Sequence, residues 1–440
     1  MIKYTRFFLT LLFAVSAFAA YSQSTATSSS PYSRYGLGIT APQLMPQNLG
    51  MGGIAVATNQ IGLFSNINVI NPASYGAIRL TTFDVGLYSN ISTLSQTGSA
   101  SQSNSNFRLS HLAFAVPVSK KSALSFGLLP YSERGYNYKQ SINKFGGNAS
   151  PADTNVTNYT YSGDGGLSKA YLGYGFGIGK NLLIGANVSY IFGNLKDIST
   201  TEIPGLYGTI NSRIEESTSI GGLNYDYGVQ YAIPVTDTKR ITLGYSGSIG
   251  SKIGSQSSFI VSQYLNDANG NQQVAIDSVI NKTDPKGKLV LPHMNRFGIS
   301  FQSDGKFLVG ADYSMGKWSD LSISGVNQGL QDSRTINVGG SYTPNINTIR
   351  NYLATVDYRL GAIYDETYMN INNTKVKRIA ATVGLGLPLR PGNTSIYKIN
   401  ISAEVGKRGS LVNGLVKENY INLHLGFTLN DKWFTRYKFD

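Results

Sequence analysis

Arg359 and Asp357 stand two positions apart, a spacing that puts both side chains on one face of an extended strand. A guanidinium placed there can grip the carboxylate of a ligand in bidentate fashion, or pair with its neighbour and brace a wall. Arg296 and Asp312 offer the same two chemistries, and Asp84, Asp226 and Glu404 add carboxylates among apolar neighbours. Arg359, Asp357, Arg296 and Asp312 are therefore the candidate ligand contacts, with Arg359 foremost for an anionic head group. No catalytic or metal constellation accompanies them. His111, His293 and His424 are far apart and lack close ligand spacing, and the chain has no cysteine. Ser110 directly precedes His111, but neighbours on a strand point to opposite faces, so no nucleophile–base couple is expected. The glycines of Gly173-Tyr174-Gly175-Phe176-Gly177 and Gly384-Leu385-Gly386 lack the strand–turn–helix setting of a phosphate loop. Asn266 to Asn271 has the composition of a calcium loop without its spacing or terminal glutamate, and reads as a turn between two strand-like runs, Ser258 to Leu265 and Gln272 to Val279. The expectation is a non-enzyme without cofactor or metal.

The elements that carry these residues alternate with period two. Ile421, Leu423, Leu425, Phe427 and Leu429 alternate with Asn422, His424, Gly426, Thr428 and Asn430, and Leu223 to Ile233 repeats the pattern. Such windows fall at 81–94, 106–118, 122–132, 168–179, 181–193, 220–234 and 240–249. Others follow at 289–302, 306–315, 334–344, 351–365, 376–388, 395–406 and 419–430. That makes an even set of about 14, as bacterial single-chain barrels require. Short turns such as Gly179-Lys180-Asn181, Ser303-Asp304-Gly305, Pro344 to Asn347 and Arg390 to Asn393 follow even-numbered windows. The long polar links 133–167, 194–219 and 250–288 follow odd ones. With both ends of the mature chain in the periplasm, this is the split between short periplasmic turns and long external loops. The fold expected is all-β, a transmembrane antiparallel β-barrel of about 14 strands with an N-terminal hatch.

Lys3 and Arg6, an apolar run from Phe7 to Phe18, and Ala17-Phe18-Ala19 read as a signal peptide over residues 1–20. Residues 21–78 hardly alternate and read as the hatch. They hold Gly50, Gly52 and Gly53, which permit close backbone approach, and Asn71-Pro72-Ala73, which enforces a turn. The barrel follows over 79–430, then a tail over 431–440. Gly 49, Tyr 29 and Phe 19 with only 14% charged residues suit strands and aromatic belts. Tyr190, Tyr231, Tyr245, Tyr342, Tyr358 and Tyr364 lie on the apolar faces, as such belts require. The formal charge of +13 comes from scattered cations, which argues against nucleic acid and for anionic lipopolysaccharide or anionic ligands. A monomer in the cell outer membrane, in contact with its lipids, is expected.

The glycine-rich stretch followed by Asn71-Pro72-Ala73 resembles the hatch of the FadL/TodX family of outer-membrane transporters for hydrophobic compounds. Ala311-Asp312-Tyr313-Ser314 with Trp318-Ser319, and Tyr358-Arg359-Leu360-Gly361 leading to Tyr364-Asp365, are similar to strands of that family. Ser30 to Gly36 and Asn430 to Phe434 look like its Bacteroidota branch, although a basic tail continues past Phe434. The resemblance implies passive uptake of a hydrophobic small molecule, such as a long-chain fatty acid, through a plugged lumen. It also implies a kinked third strand that opens the wall, for which Pro130 is the candidate, because proline lacks the ladder N–H. The alternative reading of Pro130 is a strand terminator. FadL-like barrels also include non-transporting, PorV-like accessories of secretion or outer-membrane assembly machines, so such a partner is the alternative function. Uptake predicts an apolar cavity between hatch and wall; the accessory role predicts an open lumen or an external apolar patch on 133–167 and 250–288.

Overall fold

The computed structural model describes residues 30–61, 64–143, 156–204, 208–267, 271–348, 350–389 and 395–433. The signal-peptide segment, the turn at 390–393 and most of the tail lie outside these residues. Fourteen strands form the wall, beginning with β1 (Thr81–Ser95), β2 (Gln102–Ser119), β3 (Ser122–Asn143), β4 (Val156–Ile178) and β5 (Leu182–Glu202). They continue with β6 (Asn211–Pro234), β7 (Lys239–Ser248), β8 (Met294–Ser303), β9 (Phe307–Gly316) and β10 (Ser333–Tyr342). The last four are β11 (Asp357–Ile371), β12 (Thr374–Leu389), β13 (Ser395–Arg408) and β14 (Lys417–Asp431). Every pair of neighbours is antiparallel, and β14 returns to β1 in register from Lys417↔Ser95 to Asp431↔Thr81. The sheet is closed. Each alternating window of the sequence overlaps one of these strands, although the windows 289–302 and 351–365 begin before Met294 and Asp357, where their strands start.

The two faces are inverted relative to a water-soluble protein. Leu172 on β4 is 58% exposed and Leu360 on β11 is 66% exposed, while Asn187, Thr382, Asn400 and Thr428 are buried inside. An apolar outer surface of this extent is stable only against hydrocarbon, where backbone groups must also be paired within the sheet. Tyr190, Tyr231, Tyr342 and Tyr358 stand on that outer face.

The long polar links are shorter than expected, because the strands run on. β4 has 23 residues and β6 has 24, against the roughly 9–11 needed to span a bilayer. Beyond the hydrocarbon both faces meet polar surroundings, so pairing continues while alternation fades. Hence 133–143, 194–202 and 211–219 are strand, and β11 turns into β12 through Asn372 and Asn373, both at positive φ. Conversely, the turn expected at Pro344 to Asn347 belongs to a longer link with a 3-10 turn at Tyr352–Thr355, and β11 begins only at Asp357. Between β7 and β8 lies an outer hairpin, Lys252–Tyr264 and Asp277–Val290, whose first strand pairs with the overhang of β6.

The described residues between 30 and 79, the plug, descend through the interior. The Ser30 amide donates to Gly135 near the long-link end, and Gly76 packs against Phe176 and Gly177 at the short turn between β4 and β5. Thr81 then starts β1 at that lower rim. Ser30, the first described residue, therefore sits toward the end opposite Asp431.

Placing a cation on the lipid face should be costly. Leu172→Arg is expected to lower stability by about 2–4 kcal/mol, read from the denaturation midpoint in phospholipid vesicles. Lys139→Ala, on an exposed overhang residue, should leave the midpoint in place. An unshifted midpoint for Leu172→Arg would mean that this face meets water.

Candidate functional site: a lumen cavity beside a seam in the wall

β2 and β3 pair only from Leu112↔Leu128 to Ser119↔Ser122, although β2 starts at Gln102 and β3 runs to Asn143. Above Leu128 the two strands part. β3 keeps its partner β4 through Pro130↔Ser168 and on to Asn143↔Val156, with a register shift between Pro130 and Ser132. Pro130 thus sits two residues beyond the last β2 contact, where a missing N–H and a bulge turn the strand away. The edge so freed is occupied by the interior segment. Ile39 and Thr40 pair with Glu133 and Ser132, and the Ala41 amide donates to the Tyr131 carbonyl at 3.0 Å. The Ser33 hydroxyl donates to Gly135 O at 2.9 Å. Gly38, at φ +92°, lies so close to the Glu133 carbonyl that a Cβ would collide with it. Arg108 of β2 reaches across to pair with Glu133 of β3, its guanidinium 4.5 Å from the Tyr88 ring centroid.

At the foot of the seam the alternation rule breaks. The β1–β2 register jumps between Gly86 and Leu87, leaving Ser110 as an extra residue. That bulge lets Ser110 Oγ approach His111 Nδ1 to 3.2 Å, contrary to the expectation that the two cannot meet. His111 Nε2 lies 2.7 Å from Asp84 Oδ1, and Thr428 donates to the other Asp84 oxygen at 2.7 Å. Asp84 and His111 are fully buried under the plug, so the trio serves as a packed polar brace.

Beside the seam, on its inner side, is a cavity of about 260 Å³. Ile39, Thr40, Ala41 and Tyr131 form the wall it shares with the seam. Trp318 and Tyr368, stacked at 4.3 Å, line it with Met294 and Met369. Its charges are mostly committed. Arg378 is held by Asp365 at 3.3 Å and Glu404 at 3.1 Å, and Arg408 by Glu418 at 3.3 Å. Asp312 Oδ2 accepts from the amides of Ala55 and Val56 at 2.6 and 2.8 Å, fixing the plug to β9. Arg296 lines the cavity, and its side chain makes no hydrogen bond or ion pair among the described residues.

The four candidate contacts therefore separate. Arg296 and Asp312 meet at the cavity. Arg359 and Asp357 lie away from it, in a buried cluster near the short-turn rim. Arg359 donates to Asp357 and to Asn400, both at 2.8 Å, and Lys398 and Thr343 also donate to Asp357, at 2.6 and 2.7 Å. This cluster braces the wall. Lys398 was not singled out in sequence, and its signal was a lone cation between Tyr397 and Ile399 in an alternating window. Tyr368 and Arg408 also escaped, since they lie beyond the windows where alternation fades; Arg378 went unmarked inside its window, and Trp318 entered only as part of a motif.

The glycine and Asn-Pro positions lie where plug and wall nearly touch. Gly50 abuts Gly384; Gly52 (φ +68°) donates to Thr382 Oγ1 at 2.8 Å, and Gly53 (φ +80°) packs on Asn337. Asn71 caps the 3-10 turn Pro72–Ala77 through the Ala73 amide at 3.2 Å and donates to Val56 O at 2.7 Å. Asp312→Ala removes two charge-assisted hydrogen bonds of about 1.5–3 kcal/mol each. We expect faster amide exchange over 50–57 and higher conductance in planar bilayers. Exchange identical to the wild type would remove the anchoring role.

Among solved structures the chain is similar to the toluene transporter TbuX of Ralstonia pickettii, with a TM-score of 0.54 and 16% identity over 88% of this chain and 98% of that one. The toluene transporter TodX of Pseudomonas putida gives 0.54 at 13% identity, over 90% and 99%. A FadL homologue of Pseudomonas aeruginosa gives 0.57 at 12% identity, over 91% and 100%. At such identities the likeness is one of fold. No curated protein sequence matches. The sequence model of one family, described as BamG, matches residues 1–440. This chain belongs to the BamG family.

Proposed function

We propose that this outer-membrane barrel takes up a small hydrophobic molecule with an anionic head, which rests in the lumen cavity and leaves sideways between β2 and β3. The observation that carries this reading is that cavity and seam share one wall, Ile39 to Ala41 with Tyr131. Arg296 takes the head group, and the Trp318–Tyr368 stack with Met294 and Met369 takes the apolar body. A volume of about 260 Å³ sits near the lower bound of ligand pockets, roughly 300–1,000 Å³, which suits a short amphiphile. The apolar cavity expected for uptake is thus small and partly charged. Opening the seam breaks a few backbone hydrogen bonds whose groups, left unpaired in hydrocarbon, cost several kcal/mol each, so the wall parts only where the passing molecule or water takes those groups up. Asp312 holds the hatch, Pro130 marks the point of parting, and Arg359 with Asp357 serves the wall. TbuX and TodX, toluene transporters, share the fold.

A second reading, an accessory barrel of an outer-membrane assembly or secretion machine, is favoured by two observations. One is the BamG family membership; the other is exposed Val274, Ile276 and Val279 on the outer hairpin region, within or beside the segment where an external patch was expected.

The chain lacks cysteine, so Ile39→Cys with Glu133→Cys would form a single disulfide across the seam. We expect the locked protein to take up laurate about tenfold more slowly, with recovery on reduction. Arg296→Ala should weaken laurate uptake more than uptake of the uncharged alcohol of equal length. Uptake that ignores both changes, together with loss of other outer-membrane proteins when the chain is deleted, would favour the accessory role instead.

A further inference from the structure

We propose that the outer hairpin is a docking edge for an extended, acidic segment of a partner protein outside the membrane. The hairpin touches neither cavity nor seam, so the inference stands apart from the uptake reading; it supplies the accessory reading with its point of attachment.

The hairpin's first strand, Lys252–Tyr264, is paired on both sides, with β6 and with Asp277–Val290. The second strand is paired on one side only, except at Leu289 and Val290, where Ser322 and Ile323 join it. From Asp277 to Lys286 its outer edge has no strand partner among the described residues; beyond it the Ser324 amide donates to the Lys288 carbonyl at 2.9 Å. All residues from Asp277 to Lys286 are exposed, so this edge stands clear of the wall. A row of open N–H and C=O groups is satisfied by water or by another strand, and only a strand also buries side chains.

Proteins protect free edges with lysine, proline and bulges, and this edge has Lys282, Pro285, Lys286 and Lys288 with register shifts at both ends. Protection alone does not explain its apolar residues. Val274 is 91% exposed, Ile276 59% and Val279 57%, and Ile280 and nearby Val326 are also exposed. Valine and isoleucine on an external edge lower solubility unless something covers them. Between the two bulges, Ile280 to Asp284 forms an uninterrupted pairing stretch. The ammonium groups of Lys282, Lys286 and Lys288 have no ion pair among the described residues. Set against Asp277 and Asp284 on the same strand, the three lysines leave the edge net positive, so it repels cationic strands and favours carboxylates, and the lysines that discourage self-pairing recruit an acidic strand.

Thr283 is exposed in the middle of the edge, and Thr283→Cys would give the chain its only thiol. A photoactivatable thiol reagent would be attached to it in intact cells, with Ser99→Cys on the exposed β1–β2 link as the comparison site. Resistance to unfolding in cold detergent would verify both barrels. We expect one protein adduct from position 283, mapped by mass spectrometry to an acidic segment with alternating apolar residues, and none from position 99. Adding Lys282→Glu and Lys286→Glu should cut its yield about tenfold. Adducts with lipopolysaccharide only, with a second copy of this chain, with proteins equally at both positions, or with no protein would each overturn the proposal.

Discussion

A backbone amide or carbonyl in hydrocarbon has no water to turn to, and the wall is arranged around that requirement. It forces the sheet to close from β14 onto β1. It also governs the place where β2 and β3 separate. When β3 leaves β2 beyond Leu128, the groups it exposes are taken up by Ile39, Thr40 and Ala41 from inside. Plug and wall are thus one hydrogen-bonded system at the seam.

The lumen is shaped to receive that plug. Gly175 and Gly185 lie against the Pro72 carbonyl, Gly228 against Asn71, and Gly339 and Gly361 against Met51 and Gly52. A side chain at any of them would push the plug from the wall. Elsewhere charges are matched across strands, as in Lys169 with Asp226 at 2.6 Å and Lys398 with Asp357 at 2.6 Å. Such buried pairs add little net stability, yet losing one partner is expensive, so they fix how strands and plug fit together. Against this background Arg296 is conspicuous. Its neighbours Asp226 and Asp312 are engaged by Lys169 and by the plug amides, which leaves a guanidinium beside open space.

The barrel was legible because period-two alternation survives wherever one face meets lipid and the other a packed interior. Ile421 to Leu429 shows it without interruption. Of the overhangs only the strand-like run Ser258 to Leu265 and its turn were legible, because segments such as Asp277 to Lys286 are exposed on both faces and carry no contrast. Local spacing made the Arg359–Asp357 pair visible, but Lys398 joins it from a strand 41 positions away from Asp357, and nothing in the sequence marks that contact. The bulge at Ser110 was hidden for a related reason. An inserted residue shifts register without altering composition, so a rule based on strict alternation fails there.

The descent of residues 30 to 79 through the lumen constrains how the molecule can be assembled. Closure joins the first and last strands, and Thr82 bonds Asn430 across 348 positions of chain. Once that joint is made, the plug is ringed by covalent and hydrogen-bonded backbone, with Ser30 toward one mouth and Thr81 at the other. Threading it afterwards would carry Tyr32, Leu37 and Met45 along the length of a closed lumen, whereas a sheet still open as a crescent lets the plug dock from the side before β14 zips to β1 and encloses it.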